Sequence, residues 1–230
     1  MDTQVAEGFR RQRAALVAAP SLAVIARTMW TPFDDEEPVA YLDAVGEHIR
    51  RHEIGTGLMI LSGLFLIPAI FALASTARRR SPRLTIVAMS LAVTGAVGMS
   101  AFSVIGIFAS WFARQPDRTE MATMWGDLVT EPGGELLFLL ILIGVIGFGL
   151  IGVALRRSGQ PLVASSFAGL GGAATLFTTG GPVRGLLIGA ASMALVGFAW
   201  VATSLTADAQ RPARRDFDTA NSAGISGATP

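Results

Sequence analysis

The sequence predicts an all-α fold, a polytopic membrane helix bundle of six transmembrane helices with two short amphipathic outer helices. Three observations predict it. Apolar residues make up 51% of the 230 residues and charged residues only 15%, against about 25% in ordinary soluble domains. The apolar residues are gathered into long runs nearly free of charge. Basic turns and acidic amphipathic segments alternate between those runs.

The chain opens with a polar stretch carrying Arg10, Arg11 and Arg13, followed by a mostly apolar run from Ala14 to Ala26. Thirteen such residues make about 20 Å of helix, short for a hydrocarbon core about 30 Å thick. Three readings stand. Residues 14–32 form a first span, with Arg27 reaching back to the interface and Trp30 in the aromatic belt. Alternatively the segment is a cleaved signal peptide, or an interfacial helix. The next segment, Thr31 to His52, begins with Asp34, Asp35, Glu36 and Glu37. Pro38 suits a first helical turn, and Leu42, Val45 and Ile49 share one face. This predicts an amphipathic outer helix over 38–51.

Residues 54–77 form an uncharged second span with an internal Pro68, where a kink is expected. The basic turn Ala77 to Arg83 leads into a third span, 84–113, about 45 Å long if continuous. Its Ala92, Ala96 and Ser100 recur every fourth residue, a stripe that lets another helix approach closely. In the second outer segment Met121, Met124, Trp125 and Leu128 fall on one helical face, predicting a helix over 118–131. A glycine-rich fourth span covers 135–155, and Arg156 and Arg157 open a second basic turn. Spans over 161–179 and 183–205 follow, both rich in small residues, and 206–230 reads as a disordered cytoplasmic tail. An outer helix, a span, a basic turn and a span thus occur twice, over 38–112 and 118–179, which suggests duplication.

Charge sets the orientation. All 18 basic residues are arginines, and with both termini inside, 12 of them fall in cytoplasmic segments. The plasma membrane is the expected location. Arginine in place of lysine, with abundant Ala and Gly, points to a GC-rich bacterial source. A net charge of +1 gives no support for a nucleic-acid partner. The absence of cysteine excludes disulfides, thiolate metal sites and thiol nucleophiles.

Candidate sites are few. His48 and His52, at i and i+4, are weak metal candidates, with Asp127 or Glu131 as a third ligand, but Arg50 and Arg51 beside them disfavour a cation. No metal and no cofactor is expected. The second to sixth spans carry no ionisable residue away from their ends, which argues against a proton-coupled transporter. No catalytic motif is placed credibly, so the chain is expected not to be an enzyme. Tyr41, Leu42, Met124 and Trp125 mark a candidate partner surface on the outer helices.

The stretch P-V-A-Y-L-D-A-V-G-E-H-I-R-R-H-E-I-G-T-G from Pro38 to Gly57, followed by I-P-A-I-F-A-L-A, carries a resemblance. The chain resembles a broad group of six-helix bacterial integral membrane proteins with no assigned activity. In that group a weak first helix precedes an outer helix containing Tyr-Leu, and five spans follow. The resemblance implies the six-helix fold over roughly residues 14–205 and supports the first span. The expected role is a non-enzymatic membrane protein that binds lipid, or a membrane or extracytoplasmic protein. The alternative is a small-molecule permease or permease subunit, with its route between the glycine-rich helices.

Overall fold

The computed structural model describes residues 3–31, 37–78, 80–177 and 185–204. They form helices α1 (Thr3–Met29), α2 (Pro38–Glu47), α3 (Ile49–Ala77), α4 (Pro82–Phe112), α5 (Arg118–Thr130), α6 (Pro132–Arg157) and α7 (Leu162–Phe177). The last, α8, is Gly185–Ser204. No strand occurs among the described residues. The acidic run at Asp34 to Glu36, the turn at Gly180 to Pro182 and the expected tail over 206–230 lie outside them.

Four helices, α3, α4, α6 and α8, are long and apolar enough to cross a membrane, as a multi-pass membrane protein requires. Six were expected. The difference lies in α1 and α7. Helix α1 has 27 residues, but its arginines at both ends dilute its hydropathy. Helix α7 is apolar throughout yet has 16 described residues, about 24 Å.

The main packed pairs, α1 with α3, α3 with α4, α4 with α6 and α6 with α7, run antiparallel. Helix α1 lies along α3, where the Ser62 hydroxyl donates to the Ala19 carbonyl at 2.8 Å. Farther along the same pair, a side chain on Gly55 would collide with the Trp30 backbone. Helix α3 packs on α4, α4 on α6, and α6 on α7. Helix α8 meets α7 where Gly197 lies against Ala168 and Gly171 against Ala194. Small residues permit these crossings. On α4 and α6 two glycines face each other, and a Cβ on Gly95 would lie 2.3 Å from the Cα of Gly144. Two backbones in van der Waals contact gain dispersion that lipid cannot offer, which is the usual drive for helix association in a bilayer.

Around that crossing the core is filled by Met99, Ile141, Phe148, Ile151, Leu176 and Phe198, all buried. The Phe148 and Phe198 rings stack at 6.1 Å and join α6 to α8. The two basic turns end up side by side, because Arg80 approaches Gly159 at the tip of the α6–α7 turn. Gly159 has φ +98, the left-handed conformation that a tight turn after Ser158 requires.

Candidate functional site

The end of the bundle opposite the basic turns is closed by α2 and α5. Pro38 starts α2 without needing a backbone donor. Asp117 caps α5 by accepting from the Glu120 N–H at 3.0 Å. The apolar faces of these helices turn toward each other and toward the end of α4. Tyr41 and Leu42 are buried at 3% and 0% exposure, and Trp125 at 3%, whereas Met124 stands 45% exposed. Of the four residues expected to form a partner surface, three are therefore enclosed in the cap, and only Met124 faces outward. The Tyr41 ring stacks on Trp125 at 5.4 Å, and Phe112 meets Trp125 edge-on at 6.3 Å. Burial pushes the Tyr41 phenol well above its ordinary range. Arg118 pairs with Asp43 at 2.9 Å and ties α5 to α2 from outside.

The two histidines separate. A single helix over 38–51 would have set them one turn apart on one face. Instead α2 ends at Glu47, and His48 adopts a non-helical φ −133, ψ 39 before α3 begins. His48 is exposed, with Nδ1 3.9 Å from the Glu47 carboxylate. His52 is buried, one turn into α3, and its Nε2 is 3.2 Å from the Gly106 carbonyl of α4. That contact requires the proton on Nε2. Trp30 and Tyr41 flank the ring, with centroids at 6.4 and 6.3 Å. His52 Nδ1, the Thr56 hydroxyl and the Ser110 hydroxyl have no hydrogen-bond partner among the described residues. Among those residues no group of three or more His, Cys, Asp or Glu side chains converges as a metal would need. Glu53 is engaged by Arg114, and Asp127, Glu131 and Glu135 are exposed.

Arg27 also departs from expectation. Instead of reaching out to the interface it is fully buried. Its guanidinium donates to the Thr175 carbonyl in the last turn of α7 and to the Leu187 carbonyl of α8 at 3.3 Å. The Thr175 carbonyl lies near the C-terminal end of α7, where partial negative charge favours a cation. The contact joins α1 to the two helices that follow it last in the chain.

At the other end, beside the basic turns, α6 and α7 diverge to leave an open groove of about 430 Å³. Its floor is made by Gly149, Gly152 and Gly169, and Val153, Leu162 and Leu170 form apolar walls. Arg156 and Arg157 stand at its mouth. The groove exists because the floor carries no side chains: Gly152 touches Gly169, while a Cβ on Gly149 would meet nothing within 4 Å. Val153, Leu162 and Leu170 are 45%, 62% and 62% exposed, so the groove opens on the apolar flank of the bundle. Arg156 Nη1 donates to the Gln160 carbonyl at 3.3 Å, leaving its other donors outward. Among the described residues, neither arginine forms an ion pair. The glycines and the Arg-Arg turn were visible in the sequence, but their convergence depends on the register between α6 and α7. No family model, curated protein or solved structure matches the chain.

Proposed function

We propose that the chain is a six-span protein of the plasma membrane, with both termini in the cytoplasm, that acts without catalysis by binding lipid. The observation that carries this reading is the apolar groove between α6 and α7, open on the flank of the bundle and bordered by Arg156 and Arg157. In this reading α1 and α7 also cross the membrane, as the first and fifth of the six spans. Arg27 is tolerated in α1 because carbonyls of α7 and α8 take up its charge. Helix α7 spans by local thinning of the bilayer.

The interior supports binding over permeation. Where α4 crosses α6 the Gly95 and Gly144 backbones touch, and Leu176 fills the space beside them. Buried side chains rather than polar groups surround that crossing. Native mass spectrometry of the protein extracted gently from its own membrane tests the reading. Retained lipid in stoichiometric amount is expected. A stoichiometric protein partner with no lipid would replace lipid binding by partner binding, and solute flux in sealed vesicles would restore the permease alternative.

A further inference from the structure

We propose that the groove between α6 and α7 is a site for one anionic phospholipid of the cytoplasmic leaflet, its phosphate held by Arg156 and Arg157. This rests on the lipid-binding reading above and names the class of lipid. Charge complementarity selects the occupant. The arginines at the mouth form no ion pair among the described residues, and neither do Arg78, Arg80 and Arg83 of the neighbouring turn. The approach of Arg80 to Gly159 brings a third cation to the turn that carries Arg156 and Arg157, at one end of the trough. A zwitterionic headgroup would bring its own cation into that field. An anionic headgroup neutralises it, and a guanidinium offers a planar pair of donors that matches two phosphate oxygens.

The apolar part of the site fits the other half of such a molecule. An acyl chain needs a narrow, mainly apolar trough, and Gly149, Gly152 and Gly169 provide a floor on which it can lie against backbone. The lining also includes Ser165 and Ser166, and the Ser165 hydroxyl is turned back onto its own helix, donating to the Pro161 and Leu162 carbonyls. A volume of about 430 Å³ is within the range of small-molecule sites, about 300–1,000 Å³. Basic pockets between helices on the cytoplasmic side are the general form of anionic headgroup sites.

The test uses the full chain in nanodiscs containing equal amounts of phosphatidylglycerol and phosphatidylcholine, with bound lipid counted by native mass spectrometry after release. The wild type should retain one phosphatidylglycerol in preference to phosphatidylcholine. The R156Q/R157Q double variant should lose that preference by about 30-fold, since each cation near an anionic headgroup contributes roughly a factor of five. R78Q/R83Q removes the same charge from the same end but not from the groove, and should keep most of the preference. Gly149→Leu puts a side chain into the trough from a position where an added Cβ meets nothing within 4 Å, and should lose the bound lipid while keeping its fold. Equal retention of both lipids by the wild type would overturn the anionic site and leave lipid binding standing. Retention of no lipid at all would overturn both. Dimers that G149L dissolves, with no lipid bound, would make the groove a contact between two copies and overturn the proposal.

Discussion

At the residue scale the most consequential side chain is Arg27. Its charge is buried with carbonyls as acceptors, so removing it leaves the Thr175 and Leu187 carbonyls without that donor. Arg27→Ala should lower stability by about 3 kcal/mol, the range for lost charged hydrogen bonds with buried acceptors stranded. Thermal unfolding in detergent checks this, and Arg27→Lys should recover only part of the loss because one ammonium cannot span both carbonyls as the planar fork does. Tyr41 offers a second test. It is the chain's single tyrosine, so tyrosinate absorbance reports it alone. Burial favours the neutral phenol, and the folded protein should show no tyrosinate at about pH 10, where an exposed phenol is half ionised. The sign follows. Above that pH the unfolded chain loses the proton more readily than the folded one, so stability falls as pH rises. Tyrosinate absorbance appearing near pH 10 in the folded protein would contradict the enclosed cap. Neither environment could be read from sequence. Arg27 stood out only as an interruption of an apolar run, and the Tyr41–Trp125 stack links residues 84 positions apart in the chain.

At the element scale the helices themselves were legible and their ends were not. Uncharged runs of twenty residues or more leave the backbone no alternative to a helix in lipid, so α3, α4 and α6 fall where hydropathy places them. The break at His48 has no such signal. Neither Gly nor Pro stands there, and α3 takes in Arg50 to Glu53 because Glu53 meets Arg114 and His52 meets Gly106. That break also explains why a periodic pattern over 38–51 misplaced the histidines. The small-residue rows were read correctly as contacts in α4, where Ala92 meets Gly147 and Ser100 meets Gly63. Gly95→Leu or Gly144→Leu would force the backbones of α4 and α6 apart. Each should cost about 3 kcal/mol, at the upper end for overpacking, and reduce the yield of folded protein on extraction. Trp125→Ala should cost a similar amount, about 3 kcal/mol, by emptying the α2–α5 cap. His48→Ala, at an exposed site, should change stability by less than about 0.5 kcal/mol.

At the scale of the whole molecule, the antiparallel neighbours place both basic turns at one end and the aromatic cap at the other. The arrangement matches the alternation of basic and acidic connections along the chain. The position of the groove between α6 and α7 follows from that polarity, since its arginines belong to one of the turns. It was not legible beforehand, because a groove is a property of two helices in register and each glycine taken alone is equally suited to a close contact. The orientation of the bundle in the membrane underlies every other proposal, and the natural absence of cysteine makes it directly measurable. Single cysteines at Ser81 and Ser158, in the two basic turns, are compared with ones at Thr123 and Thr130 on the exposed face of α5. An impermeant thiol reagent added to intact cells should label the α5 positions and spare the turns. Labelling of the turns with protection of α5 would contradict the account, because the basic end and its groove would then face outward.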